Sequence, residues 1–262
     1  MRTFKIVLSY DGTDFAGFQR QANARSVQQV LEEALAPIEG LDVIVSGAGR
    51  TDSGVHALGQ VASFVLSGPI SPDDLKKALN ATLSATGSND VRVLAVEEAA
   101  EDFNARFSAK AKLYRYRIVN AEVVSPFDWR YGWHVPRALN LDDMRDAACA
   151  LVGERDFVAF QSAGNKVTTS VRTITSSELT ETPLPEAGRL LVYEIAGNGF
   201  LKHMVRAIVG TLVEIGSGRR PVSSLERLLV SGSRAQAGPT APPHGLYLVR
   251  VDYDAAAPVS FS

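Results

Sequence analysis

The chain is poor in the features that mark the commonest functional classes. Its single cysteine, Cys149, excludes an internal disulfide. That cysteine lies in "LDDMRDAACALVG", where helical spacing predicts a packed thiol rather than a nucleophile. The four histidines, His56, His134, His203 and His244, are scattered without ligand spacing, so no metal is predicted. No run of about 20 uncharged apolar residues occurs, which excludes a membrane-spanning helix. The N-terminus, "MRTFKIVLSYDG", alternates like a strand and has no basic segment followed by an apolar run; a cytosolic (cytoplasmic) protein is expected. Nor is positive charge in excess, because 27 Lys and Arg stand against 29 Asp and Glu.

What is present is a globular composition. With 262 residues and 45% hydrophobic content, the chain can bury a substantial core in one large domain or two smaller ones. Residues 3–10 read as a strand, and Ser26 caps a helix whose apolar positions Val27, Val30, Leu31, Ala34, Leu35 and Ile38 recur at helical spacing. "LDVIVSGAG" reads as a strand ending in a glycine turn, and "GQVASFVL" begins another. Ser71 and Pro72 open a helix, followed by the strand "DVRVLAVEEA". Beyond these come a basic strand at 112–119, a helix at 141–152, strands near 171–181 and 189–196, the apolar helix "FLKHMVRAIVGTLVEIG", a short helix at 223–230 and the strand "GLYLVRVDY". "ETPLPEAGR" and "SRAQAGPTAPPHG" read as loops, and "DAAAPVSFS" as a frayed tail. Strands are too many for a regular βαβ series. The expected class is α+β: two halves, 1–105 and 106–262, sharing a largely antiparallel sheet with helices on one side.

Charge is unevenly placed. "RFSAKAKLYRYR" carries Arg106, Lys110, Lys112, Arg115 and Arg117 with no acid among them. On a strand, Lys112, Tyr114 and Tyr116 share one face while Arg115 and Arg117 take the other. Interleaved cations and rings suit a nucleic acid, since cations neutralise phosphates and rings stack on bases. A solvated strand with marginal tyrosines is the alternative.

One glycine-rich stretch, "GAGRTDSGVHALGQVASF", holds a lone acid, Asp52, two residues after Arg50. A dinucleotide fingerprint is excluded, because Asp52 occupies the third glycine position of G-x-G-x-x-G and would face the pyrophosphate. Asp52, Ser53 and His56 are too close along the chain for an ordinary hydrolase triad, and no G-x-S-x-G elbow occurs. A glycosidase pair lacks its second acid. What remains is an aspartate in a tight loop beside an arginine, either reactive or simply accepting backbone N–H bonds in its own turn.

"GAGRTDSGVHALGQV" closely resembles the catalytic motif of the tRNA pseudouridine synthase A (TruA) family. The resemblance continues in order through "YDGTDFAGFQRQ", "FNARFSAKAKLYRYRI", "GNGFLKHMVRAIVGTL" and "TAPPHGLYL", spanning nearly the whole chain. It implies the pseudouridine synthase fold and an isomerase that converts uridine to pseudouridine at positions 38, 39 and 40 of the tRNA anticodon stem-loop, without cofactor. By the same match Asp52 is the nucleophile, attacking ribose C1′ or uracil C6. Arg206 is implied to pair with Asp52, Tyr114 to contact the flipped uracil, Leu246 to line the pocket, and Arg50 to support base flipping. The first half then carries the catalytic loop; the second carries the basic strand, the Arg206 helix and the pocket strand. Family members act as homodimers, with one tRNA reaching across both subunits. Departures are small: Phe18 stands where many relatives have tryptophan, and Gly199 and Lys202 fall at variable positions. Two other readings stay open: a synthase of the same fold acting on other uridines, and a tRNA-binding or folding factor.

Overall fold

The computed structural model describes residues 1–162, 168–184 and 188–254. The chain divides into two compact units, Met1–Lys110 joined by the stretch from Leu248 onward, and Ala111–Tyr247. Each combines helices with strands that pair mostly antiparallel, an α+β arrangement as expected.

The first unit opens with β1 (Arg2–Tyr10), whose alternate side chains Phe4, Ile6, Leu8 and Tyr10 are buried. Helix α1 (Val27–Glu39) starts where the sequence predicts, with the Ser26 hydroxyl accepting from the Gln29 N–H. Its buried face is Val27, Val30, Leu31, Ala34 and Leu35. Residues 41–45 form no strand, contrary to expectation. Val43 and Val45 are buried and Ile44 is exposed, so the alternation is real, but only β2 (Ser46–Gly47) joins the ladder, opposite Ser63 and Ala62. Then follow β3 (His56–Leu66), α2 (Pro72–Ala85), capped by Ser71 with proline at the helix start, and β4 (Val91–Ala99). β1 is central, antiparallel to both β3 and β4.

The second unit begins with β5 (Ala111–Asn120), the basic strand, and a short β6 (Trp133–His134) parallel to it. Helix α3 (Leu141–Cys149) is capped by Asn140 and buries Leu141, Met144, Ala147 and Ala148. Cys149 is exposed, correcting the expected packed thiol: it ends the helix one position past the buried stripe. β7 (Gly153–Asp156), β8 (Val171–Pro183) and β9 (Arg189–Gly197) complete an antiparallel run in the order β5-β9-β8-β7. Helix α4 (Met204–Gly216) is buried almost all round, and α5 (Ser224–Ser231) follows. Finally β10 (Leu246–Asp252) returns to the first unit from Leu248 on, beside β3, in the order β4-β1-β3-β10. The expected tail after Tyr253 lies, from residue 255 on, outside the described residues. Among the described residues no helix is long and apolar enough to cross a membrane.

Candidate active site

Arg50 and Asp52 lie in the first unit, on the loop between β2 and β3. Arg50 is exposed and Asp52 half-buried. The Asp52 carbonyl accepts from the Val55 N–H at 3.1 Å, closing a tight turn in which Gly54 takes φ 76°. Of the three loop glycines, Gly47, Gly49 and Gly54, only Gly54 has a positive φ; Gly47 is small for another reason, because the Phe18 ring packs directly against it.

A frame of buried polar groups underlies this turn. Thr51, next to Asp52, is buried, and its hydroxyl lies 2.8 Å from the Tyr10 hydroxyl. Gln60, fully buried on β3, donates through Nε2 to the Gly49 carbonyl at 3.0 Å and to the Tyr10 oxygen at 3.4 Å, while its Oε1 accepts from the Val61 N–H at 3.1 Å. Burial pushes the Tyr10 phenol up to about 12, with the Thr51 and Gln60 hydrogen bonds opposing that rise. The phenol is therefore a neutral structural group at physiological pH.

The stretch after β1 closes the loop from the other side. The Phe15 carbonyl accepts from the Gly54 N–H at 3.3 Å and the Ser53 hydroxyl at 3.1 Å, and the Phe18 N–H donates to the Thr51 carbonyl at 3.2 Å. Gly17 makes this approach possible: it takes φ 106°, and a Cβ there would stand 2.6 Å from the Thr51 oxygen. His56 is buried, with Nδ1 3.0 Å from the Gly12 nitrogen and 3.1 Å from Asp11 Oδ1. The motifs "YDGTDFAGFQ" and "GRTDSGVHALGQ" are thus one structural object. Tyr10, Thr51 and Gln60 had no assigned role in the sequence reading; their only signal was membership of those motifs.

Tyr114, Arg206 and Leu246 lie in the second unit. Tyr114 is buried on β5, its ring edge-on to Phe200 at 5.0 Å. Arg206 sits in the first turn of α4, where its Nε donates to the Ala241 carbonyl at 2.7 Å and its own carbonyl accepts from the Ala241 N–H at 3.0 Å. The loop 233–245 is held on α4 at a further point and is braced within itself. Gly238 N–H donates to the buried Thr211 hydroxyl at 2.9 Å, and Arg234 bonds the Gly238 carbonyl and the Thr240 hydroxyl. Leu246 is buried at the start of β10, after a 3-10 turn over Pro243–Gly245.

Three residues of the basic strand are engaged within the protein. Tyr116 offers no ring face to a base: it is fully buried, its hydroxyl donates to the Pro242 carbonyl at 2.7 Å, and Gly245 lies against its ring. Burial pushes its phenol far up, and the Arg206 charge opposes that rise only in part. Arg115 is not an isolated cation, since its Nε reaches Glu194 at 2.7 Å, the residue directly opposite on β9. Arg117 lies 3.8 Å from Asp128.

A family model described as tRNA pseudouridine synthase matches residues 6–108 and 147–254 of this chain. The chain belongs to the tRNA pseudouridine synthase family. It is 42% identical over 253 residues to the tRNA pseudouridine synthase A of Acetivibrio thermocellus, covering 97% of this chain and all of that one. The enzymes of the same name from Lacticaseibacillus casei and Limosilactobacillus fermentum are 43% and 44% identical, over 97% and 98% of this chain and 100% and 98% of theirs. A chain from the crystal structure of a Cbf5-Nop10-Gar1 complex overlaps 80% of this chain and 54% of its own at 11% identity, with a TM-score of 0.32, too loose to carry weight beside the sequence matches. The protein is therefore an isomerase with tRNA pseudouridine synthase activity.

Proposed function

We propose that this synthase isomerises uridines 38, 39 and 40 in the anticodon stem-loop of tRNAs in the cytoplasm, with Asp52 as the covalent nucleophile. The observation that carries the reading is the Asp52 turn itself: an aspartate held half-exposed by backbone bonds on both flanks and a buried Tyr10–Thr51–Gln60 frame beneath. Such support holds the backbone that carries a reacting group in one geometry.

The reaction breaks the C1′–N1 glycosidic bond, turns the base and forms a C1′–C5 bond; the C5 proton leaves and N1 gains one, so composition is unchanged. Asp52 attacks ribose C1′ or uracil C6 and is released when the new bond is complete. A uridine in a stem must first leave the stack, at a cost of a few kcal/mol. Exposed Arg50, on the same loop, supports the flipped state. Tyr114 packs on the uracil, and Leu246 supplies apolar wall. Arg206 pairs with Asp52 and keeps it ionised: one edge of its guanidinium is fixed by Ala241, and the terminal amino groups form the other edge of the fork. Two copies of the chain bind one tRNA.

The deciding experiment is position-resolved pseudouridine mapping on unmodified tRNA transcripts treated with purified protein, with Asp52→Ala as control. Pseudouridine at 38–40 with the unaltered protein alone supports target and nucleophile together. Modification only at other positions would move the target elsewhere.

A further inference from the structure

His203 is the one non-glycine residue with a positive φ among the described residues, at φ 63°, ψ 5°. Left-handed backbone is costly for a residue with a Cβ and persists where the surroundings impose it, often beside functional groups. Here it stands between two groups already assigned to the site. On the N-terminal side, the segment from Gly197 is tied down: Asn198 N–H donates to the Thr173 carbonyl and its Oδ1 accepts from the Thr173 N–H, both at 3.0 Å. Phe200 then packs edge-on against Tyr114, and the Lys202 carbonyl accepts from the Ser162 N–H at 3.2 Å. On the C-terminal side, the His203 carbonyl accepts the first bond of α4 from the Ala207 N–H at 2.9 Å, and Arg206 is clamped to Ala241. The His203 side chain makes no cap hydrogen bond to this helix end, and its left-handed backbone turns the chain from the Phe200 segment into the helix. With both flanks anchored, the dihedrals at 203 set the direction in which Arg206 leaves relative to the Phe200–Tyr114 pair.

We propose that His203 is a positioning residue for the isomerisation: its left-handed backbone, more than its imidazole, fixes the Arg206 guanidinium relative to Tyr114. The proposal rests on the reading that Arg206 and Tyr114 serve the substrate uridine.

The test is a series at this position, His203→Gly, His203→Asn, His203→Ala and His203→Val, assayed for kcat and KM on a tRNA transcript and checked for folding by circular dichroism. Glycine and asparagine tolerate the left-handed region, alanine less so, and a β-branched residue least. The expected result is a graded loss in kcat, within about twofold of the unaltered protein for Gly and Asn, severalfold for Ala and about tenfold or more for Val, with KM nearly constant. Should Val prove too unstable to assay, the Gly and Asn variants still decide. A loss in both equal to that in Ala would mean the imidazole is itself required and overturn the proposal, as would a Val variant of full activity or a series that moves KM alone. Arg206→Ala and Tyr114→Ala, which remove the cation and the ring, are run alongside. Full activity in both would overturn the underlying site reading, whatever the His203 series shows.

Discussion

The Tyr10 and Thr51 hydroxyls lie 2.8 Å apart beneath the turn that carries Asp52, joining the end of the first strand to the residue just before the carboxylate. Both are buried, and Gln60 completes the group. Tyr10→Phe therefore leaves Thr51 and Gln60 with one partner fewer in a dry site. The expected cost is about 1–3 kcal/mol of stability. Because the frame positions the turn, kcat should also fall severalfold with little change in KM. Urea denaturation and steady-state kinetics check the two halves of the prediction. An unchanged kcat would confine the frame to stability.

The same phenol makes stability depend on alkaline pH. Its value is raised from 10.0 to about 12 in the folded protein, so the folded state holds the proton more tightly than the unfolded state does. No penalty exists below pH 10; stability falls as pH rises from 10 toward 12, by about 1.4 kcal/mol per pH unit for this group. Burial pushes Tyr116 and Tyr193 up as well, which steepens the loss. Urea midpoints followed from pH 9 to 11.5 should drop steeply in the unaltered protein and less steeply in Tyr10→Phe. Parallel slopes would mean Tyr10 ionises without cost.

Gly17 is the point at which the stretch after β1 meets the Asp52 loop. Its φ of 106°, and the Thr51 oxygen only 2.6 Å from where a Cβ would stand, leave no room for a side chain. Gly17→Ala must distort the backbone or push Thr51 aside, at an expected cost of about 2 kcal/mol or more. Since Asp52 follows Thr51 directly, pseudouridine formation should fall at least tenfold. Thermal unfolding and a single-turnover assay read both effects.

Local chemistry made much of this fold legible. Ser26 and Ser71 mark helix starts because a capping hydroxyl satisfies N–H groups within its own turn, and β1 shows because alternation records which face is buried. Alternation does not record hydrogen bonding, so 41–45 looked like a strand although the ladder begins only at Ser46. Helix α4 begins at Met204 rather than near Phe200 because His203 is left-handed, a conformation that histidine adopts more often than most residues but still too rarely to be read from sequence. At the site, the glycine turn around Asp52 was visible locally. Its frame was not: Tyr10, Thr51 and Gln60 come from separate segments. Likewise the burial of Tyr116 depends on Pro242, 126 positions away.

The basic strand divides into residues that should respond differently to neutralisation. Arg115 is already matched by Glu194 across the β5–β9 pair, so Arg115→Gln should cost about 1 kcal/mol of stability while scarcely altering the salt dependence of tRNA binding. Lys112→Gln should lower the slope of log affinity against log salt by about 0.7–0.9, the value for one lost phosphate contact. Binding titrations at several salt concentrations separate the two. Equal slopes in both variants and the unaltered protein would remove this strand from the RNA interface.

Asp52→Asn separates chemistry from architecture most cleanly. The bond that closes the turn runs from the Val55 N–H to the main-chain carbonyl of residue 52, and the flanking bonds from Gly54, Ser53 and Phe18 spare its side chain as well. Asparagine keeps the shape of the side chain, so fold and tRNA affinity should stay within about threefold of the unaltered protein. A neutral amide is a far poorer nucleophile than a carboxylate, and turnover should fall by about a thousandfold or more. Turnover above about one per cent would remove Asp52 from the covalent step and recast it as a residue that only shapes its loop. Loss of binding together with turnover would instead make the carboxylate part of the RNA contact itself.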